Sequence, residues 1–216
     1  MTNSEENYIK EIYKLSLINS NHVTTNEIAY ELSTKPPSVS DMLKKLCNKK
    51  LINYQKYKGV NLTSKGQNLA IYLTRKHRLW EFFLVNCLKY NWDEVHNIAE
   101  QLEHVKSEDL INRLDNFLGF PKIDPHGEPI PDKNGVLNHL DSKSLDNLGK
   151  NNIGKVVGVK TDDSDFLKYL NKINISIGSK LKIIDFNKFD HSFEIQIKNR
   201  TRNISFDVAK NILILC

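Results

Sequence analysis

Apolar residues recur at helical spacing from the first residues onward. In SEENYIKEIYKLSLI (4–18) they fall at Tyr8, Ile9, Ile12, Tyr13 and Leu15, then Leu17 and Ile18, which predicts an amphipathic helix. A second helix is expected over Ile28, Ala29 and Leu32, capped by Thr24 or Thr25. Ser33 to Pro37 reads as a turn because two prolines do not fit a helix interior, with Pro37 suited to the first turn of the next helix. That third helix carries Val39, Met42, Leu43 and Leu46 inward and leaves Ser38, Ser40, Asp41, Lys44 and Lys45 outside. LINYQKYKGVNLTSKG then reads as two strands around Lys58-Gly59, a wing. Three helices, a tight turn and a wing make a winged helix-turn-helix.

Further along, TRKHRLWEFFLV and DEVHNIAEQLEHV are helical, lined by Leu79, Phe82, Phe83, Ile98 and Leu102. After Pro131 the chain turns loop-like. From Ile153 short strands appear in GKVVGV, GSKLKIIDF, SFEIQIKN, NISFDV and NILILC, with one helix in SDFLKYLNKI. The pattern predicts a mainly α protein with a small β domain. A DNA-binding domain is expected at 1–70, a helical dimerisation and metal-binding domain at 71–140, a linker at 141–152 and the β domain at 153–216.

Charge sharpens this division. Residues 1–75 hold 11 Lys+Arg against 6 Asp+Glu, a balance of +5; residues 76–140 hold 7 against 11, a balance of −4. Between Lys35 and Lys65 there are eight lysines and one acid. Basic charge therefore coincides with the helix-turn-helix, and double-stranded DNA is the expected partner. Thr25, Ser38, Ser40 and Asp41 are candidates for approach to base edges, and Lys44, Lys45, Lys56 and Lys58 for phosphate contact. No apolar run approaches the roughly 20 residues a membrane helix needs. The opening residues have neither a basic region nor an apolar stretch of the secretory type. Cys47, Cys87 and Cys216 form no CxxC pair, and a reducing, cytoplasmic setting is expected.

Five of seven histidines (His77, His96, His104, His126, His139) lie in the acidic block. His77 and Glu81 are spaced i, i+4, as are His96 and Glu100; Glu100, Glu103 and His104 are spaced i, i+3, i+4. Each set shares a helix face. Imidazole with carboxylate suits Mn, Fe, Co, Ni or Zn. Surface helices also carry such pairs without metal, but three in one block of otherwise apolar-lined helices favour a metal centre. There is no HExxH and no nucleophile–base pair, so the expectation is a regulator, not an enzyme; a metalloenzyme using the His/Glu cluster is the alternative of another class. A regulator whose middle domain binds a small molecule or protein, with these residues merely structural, is a further alternative.

The stretches ENYIKEIYKL, PPSVSDMLKKL, LTSKG, RKHRLWEFFL, VHNIAEQLEHV and DPHGEPIP, spanning residues 6 to 131, resemble the diphtheria toxin repressor family of metal-dependent regulators. The remainder resembles its long form, which ends in a small SH3-like barrel of the kind found in ferrous-iron-transport accessory proteins. The resemblance implies a homodimer with metal as co-repressor. It implies a primary centre of Asn7, Glu100, Glu103 and His104. It implies a second centre of His77, Glu81 and His96 in the iron branch, or one including Asp124 and His126 in the manganese long form, closed by a polar residue of the barrel. Asp162 and Asp163 are the candidates for that last position, helix capping being their ordinary role. Asn7 and Glu100 are oxygen donors and favour Mn(II), with Fe(II) as the alternative and Zn(II), Co(II) or Ni(II) able to bind in vitro. Asn7 departs from both branches, and Lys10 stands where short manganese-type members carry an acidic ligand. The implied function is a manganese-responsive repressor of metal-uptake genes. Metal would set the angle between DNA reader and dimer domain, and hence the spacing of recognition helices against major grooves about 34 Å apart.

Overall fold

The computed structural model describes residues 1–18, 23–55, 59–137 and 141–215. The chain divides into two compact units. One comprises Met1–His77, Leu102–Glu108 and Pro131–Val136; the other comprises Arg78–Gln101, Asp109–Ile130 and Leu137–Cys216.

The first unit holds helices α1 (Asn3–Ile18), α2 (Thr25–Glu31) and α3 (Pro36–Asn48), strands β1 (Ile52–Gln55) and β2 (Gly59–Leu62), and the start of α4 (Ser64–Asn86). Thr24 is the cap of α2: its side chain accepts from the Glu27 amide while the Glu27 carboxylate accepts from the Thr24 amide, a reciprocal capping box. Thr25 is therefore the first helical residue. The turn is shorter than the expected 33–37, because both prolines occupy the first two positions of α3, where backbone N–H groups have no intrahelical partner. Antiparallel β1 and β2 pair Ile52 with Leu62 and Gln55 with Gly59. Ile9, Ile12, Ile28, Val39, Leu43, Leu46, Ile52, Val60 and Leu73 form one buried core, with Met42 packed at its edge. Each such aliphatic side chain contributes about 1.5–3 kcal/mol through removal from water, before entropy is counted.

In the second unit, α6 (Glu108–Phe117) buries Ile111 and Leu114 with Leu79 and Ile130. The C-terminal portion is a six-stranded antiparallel sheet in the order β3-β8-β4-β5-β6-β7. Its strands are β3 (Lys143–Ser144), β4 (Ile153–Val159), β5 (Lys180–Phe186), β6 (Phe193–Ile197), β7 (Arg200–Ile204) and β8 (Ile212–Leu215). Helix α7 (Ser164–Lys172) packs Leu167 and Leu170 into the core of the sheet with Trp92. Two expectations change. Part of the predicted linker 141–152 is structured, since Lys143 and Ser144 pair with Ile214 and Leu213. NISFDV is not one strand: the Ser205 side chain accepts from the Val208 amide and starts helix α8 (Phe206–Ala209).

Candidate functional site

The helix-turn-helix places its polar residues as the pattern predicts. Ser38, Asp41, Lys44 and Lys45 are exposed on α3, opposite buried Val39, Leu43 and Leu46. Two have local engagements: the Ser40 hydroxyl donates to the Pro36 carbonyl at 3.1 Å, and Lys44 pairs with Asp41 at 3.0 Å. Both are surface interactions that a polyanion can displace at little cost. Lys56 and Lys58 lie outside the described residues.

The second unit gathers Glu81 on α4, His96 at the start of α5 (His96–Leu102), Asp124 and His126 in the DPHG loop, and Asp162 just before α7. The loop is built around Asp124, whose Oδ1 accepts from the amides of His126 (2.8 Å) and Glu128 (2.9 Å). Gly127, at φ +89°, lets the loop lie against β4: a Cβ there would collide with the Val157 carbonyl oxygen. The Val159 amide donates to the His126 carbonyl at 2.9 Å, which fixes the loop on the sheet. Arg78 donates to Glu128 and to the Pro129 carbonyl from the other side.

This scaffold orients the donors. A carbonyl only accepts, so His126 Nε2, 2.8 Å from the Trp92 carbonyl, carries a proton. In the neutral ring the lone pair is then on Nδ1, which lies 3.6 Å from Glu81 Oε2. His96 Nδ1 lies 3.0 Å from Asp162 Oδ2 and 3.5 Å from Glu81 Oε1, and its Nε2 is 3.7 Å from Glu100 Oε1. Ligand atoms of Glu81, Asp124 and His126 all fall within 4.8 Å of one another. Asp124 Oδ2 is buried without a hydrogen bond, its counter-charge being Arg78 Nε at 3.6 Å.

The clustered carboxylates draw protons onto the histidines. Burial opposes a charge on His96, yet hydrogen bonds and the charges of Asp162 and Glu81 push its pKa up to about 10. Burial likewise opposes a charge on His126, but Glu81 and Asp124 push it up to about 9. Burial and the neighbouring Glu81 and Glu128 raise Asp124 above the usual carboxylate range. A divalent cation could take the place of those protons, and the unsatisfied Asp124 oxygen and the Nδ1 lone pair of neutral His126 supply donors, so the residues fit a metal.

Of the other expected ligands, Asn7, His77, Glu103 and His104 belong to the first unit, and Glu100 to the second. Within the first unit the fully buried Glu103 accepts from Lys10 Nζ at 2.8 and 2.7 Å and pairs with His77 Nδ1 at 2.7 Å. His104 Nδ1 lies 2.7 Å from Glu6 Oε2. Asn7 Oδ1 is buried without a hydrogen bond. Burial works against the Glu103 charge, but His77 and Lys10 outweigh it and hold its pKa below the usual range. Asp163, expected beside Asp162, instead caps α7 by accepting from the Phe166 amide at 2.9 Å. Sequence reasoning missed Glu6, Arg78, Glu128 and the Trp92 carbonyl. Their roles depend on contacts across 34 to 98 residues, and no local spacing signals them.

A basic helix-turn-helix with a wing, together with a buried carboxylate–imidazole cluster, defines a winged-helix protein with the donors of a metal centre. The chain belongs to the diphtheria toxin repressor family. The iron dependent repressor N-terminal DNA binding domain matches residues 1–60, its metal binding and dimerisation domain 63–132, and the FeoA domain 143–215. The chain is 36% identical over 131 residues to the iron-dependent repressor IdeR of Mycobacterium bovis, across 61% of this chain and 56% of that protein, so the match spans little over half of that relative. It is 33% identical over 124 residues to the transcriptional regulator MntR of Lysinibacillus sphaericus, across 57% of this chain and 88% of that one. A manganese-dependent transcriptional repressor in complex with manganese shares the fold at TM-score 0.87 and 32% identity, across 98% of this chain and 99% of that one. These relatives are regulators of transcription, not enzymes. Among the described residues, no helix is long and apolar enough to cross a membrane.

Proposed function

We propose that this chain is a manganese-responsive, DNA-binding repressor of metal-uptake genes that works as a cytoplasmic homodimer. The observation that carries the metal half is the Glu81–Asp124–His126 cluster with its unsatisfied buried oxygen. Three carboxylates (Glu81, Asp124, Asp162) and two imidazoles (His96, His126), without a thiolate, are a donor set that favours Mn(II) over softer ions. Glu81 on α4, His96, Asp124 and His126 of the DPHG loop, and Asp162, two residues before α7, would hold the ion, which would supply concentrated positive charge there. Trp92 keeps His126 in the binding tautomer, and Arg78 keeps the loop in place. Asn7, Glu103 and His104 of the first unit are assigned to a further centre. The proposed domains are 1–70, 71–140 and 153–216, with residues 143–152 joined to the last. DNA contact is assigned to the exposed face of α3. Exposed Leu110, Phe117 and Phe120 supply apolar surface for a second copy.

An iron-responsive repressor is the second reading, favoured by His96 standing beside Glu81. One experiment separates them: titration of operator binding with Mn(II), Fe(II), Co(II) and Zn(II) at fixed salt. Stimulation by Mn(II) at lower free concentration than Fe(II) supports manganese; the reverse order supports iron. Binding independent of all four overturns metal control.

A further inference from the structure

The two acid–histidine clusters differ in the fixed cations that face their carboxylates. The cluster in the second unit brings Glu81, Asp124 and Asp162 together, with Arg78 shared between Asp124 and Glu128. The cluster in the first unit carries its own cations. Glu6 and Glu103 are its carboxylates; Lys10 contacts both oxygens of Glu103, and Lys76 lies buried with its ammonium 3.4 Å from the Val105 carbonyl. Glu6 and Glu103 therefore already face the ammonium groups of Lys10 and Lys76. A divalent ion entering there would add positive charge to a buried site that already holds cations, a cost that rises as the local dielectric falls. The donor types nevertheless suit a metal. Asn7 Oδ1 is a buried acceptor without a hydrogen bond, and Asn7 precedes Lys10 by three residues on α1, hence on the same face. His104 donates from Nδ1 to Glu6, which leaves Nε2 as the donor atom when the ring is neutral.

We propose that Lys10 is a built-in counter-cation for Glu103 which a metal ion must displace, so that the Asn7–Glu103–His104 centre fills after the Glu81–Asp124–His126 centre and sets the metal concentration at which the protein responds. The inference rests on the assignment of Glu103 as a ligand made above. Lys10 is on α1 and Glu103 lies outside the DNA reader in sequence, so the metal-free chain already has a tie between these segments. Metal exchanges one tie for another rather than creating the first. The ammonium is a flexible competitor on a four-carbon stem, able to withdraw to solvent once its carboxylate is taken.

The test is Mn(II) binding to the full-length protein, with free Mn(II) followed by electron paramagnetic resonance at fixed pH and salt. Wild type is expected to show a tight and a weaker class of site, Glu81→Gln to lose the tight class and Glu103→Gln the weaker one. Lys10→Gln should tighten the weaker class about tenfold or more, equivalent to about 1.4 kcal/mol, and leave the tight class unchanged. Lys10→Arg keeps the charge and should behave as wild type. If Lys10→Gln leaves the weaker class unchanged or weakens it, Lys10 is no competitor and the proposal fails. If Lys10→Arg tightens it equally, the effect is packing, and the proposal also fails. If Glu103→Gln leaves every class intact, the ligand assignment itself falls and takes this inference with it.

Discussion

Asp124 illustrates how one side chain serves two structural purposes. One oxygen ties the amides of His126 and Glu128 and so shapes the loop; the other is buried without a hydrogen bond. Removing the charge while keeping the loop, by Asp124→Asn, should lower Mn(II) affinity with little change in thermal unfolding of the metal-free protein. A loss of folding comparable with a core deletion would make Asp124 structural alone. The histidines make binding pH-dependent with a defined sign. With their pKa values raised to about 10 and about 9, His96 and His126 are protonated in the metal-free protein at neutral pH, and metal must expel those protons. Mn(II) affinity should therefore rise from pH 6 to pH 8, with proton release seen as calorimetric heats that vary with the buffer's ionisation enthalpy. Heats independent of buffer would contradict this. At Gly127 the positive φ and the Val157 carbonyl leave no space for a side chain, so Gly127→Ala should destabilise the second unit by about 1–3 kcal/mol, read as a lower Tm.

At the scale of elements, local signals were legible and distant ones were not. The helix-turn-helix could be read because its determinants lie within a few residues: Thr24 with Glu27, the prolines at the start of α3, and the apolar stripe Val39, Leu43, Leu46. NISFDV misled because β-favouring residues flank Ser205, whose capping hydroxyl decides the matter. The proposed metal residues were legible as types and helical spacings. Their grouping was not, because His96 meets Asp162 across 66 residues and His104 meets Glu6 across 98. Asp162 and Asp163 were equivalent in sequence; one faces His96 and the other caps α7, a distinction that only the helix start settles. The capping box predicts that Thr24→Ala costs about 1 kcal/mol of stability in chemical denaturation. For the exposed face of α3, Lys45→Ala should weaken DNA binding and reduce the salt slope by about one unit. An unchanged slope would remove Lys45 from the phosphate interface.

For the whole molecule, the organisation by units differs from the order of domains along the chain. Glu103 and His104 group with α1, while Glu81 and His96 group with the sheet. A reading from sequence order alone assigns all four to one middle domain, since helices α4 and α5 are continuous in sequence across the division between units. Tertiary pairing, not periodicity, decides which candidate ligands are grouped together.

The Trp92 carbonyl holds His126, the Trp92 indole donates to Asn171 on α7 at 2.8 Å, and Asp162 lies just before the same helix. On the proposed assignment Asp162 would bring the C-terminal sheet domain to the metal site, and the cohesion of that domain should then be ligand-linked. Mn(II) at saturating concentration should slow proteolytic cleavage within 160–175, and Asp162→Ala should abolish that protection while Asp163→Ala leaves it intact. Equal cleavage with and without Mn(II) would show that the domain senses nothing of the metal. If protection is found, turnover of this protein in a cell becomes a function of its own effector: a repressor starved of its ion is more easily degraded as well as less active.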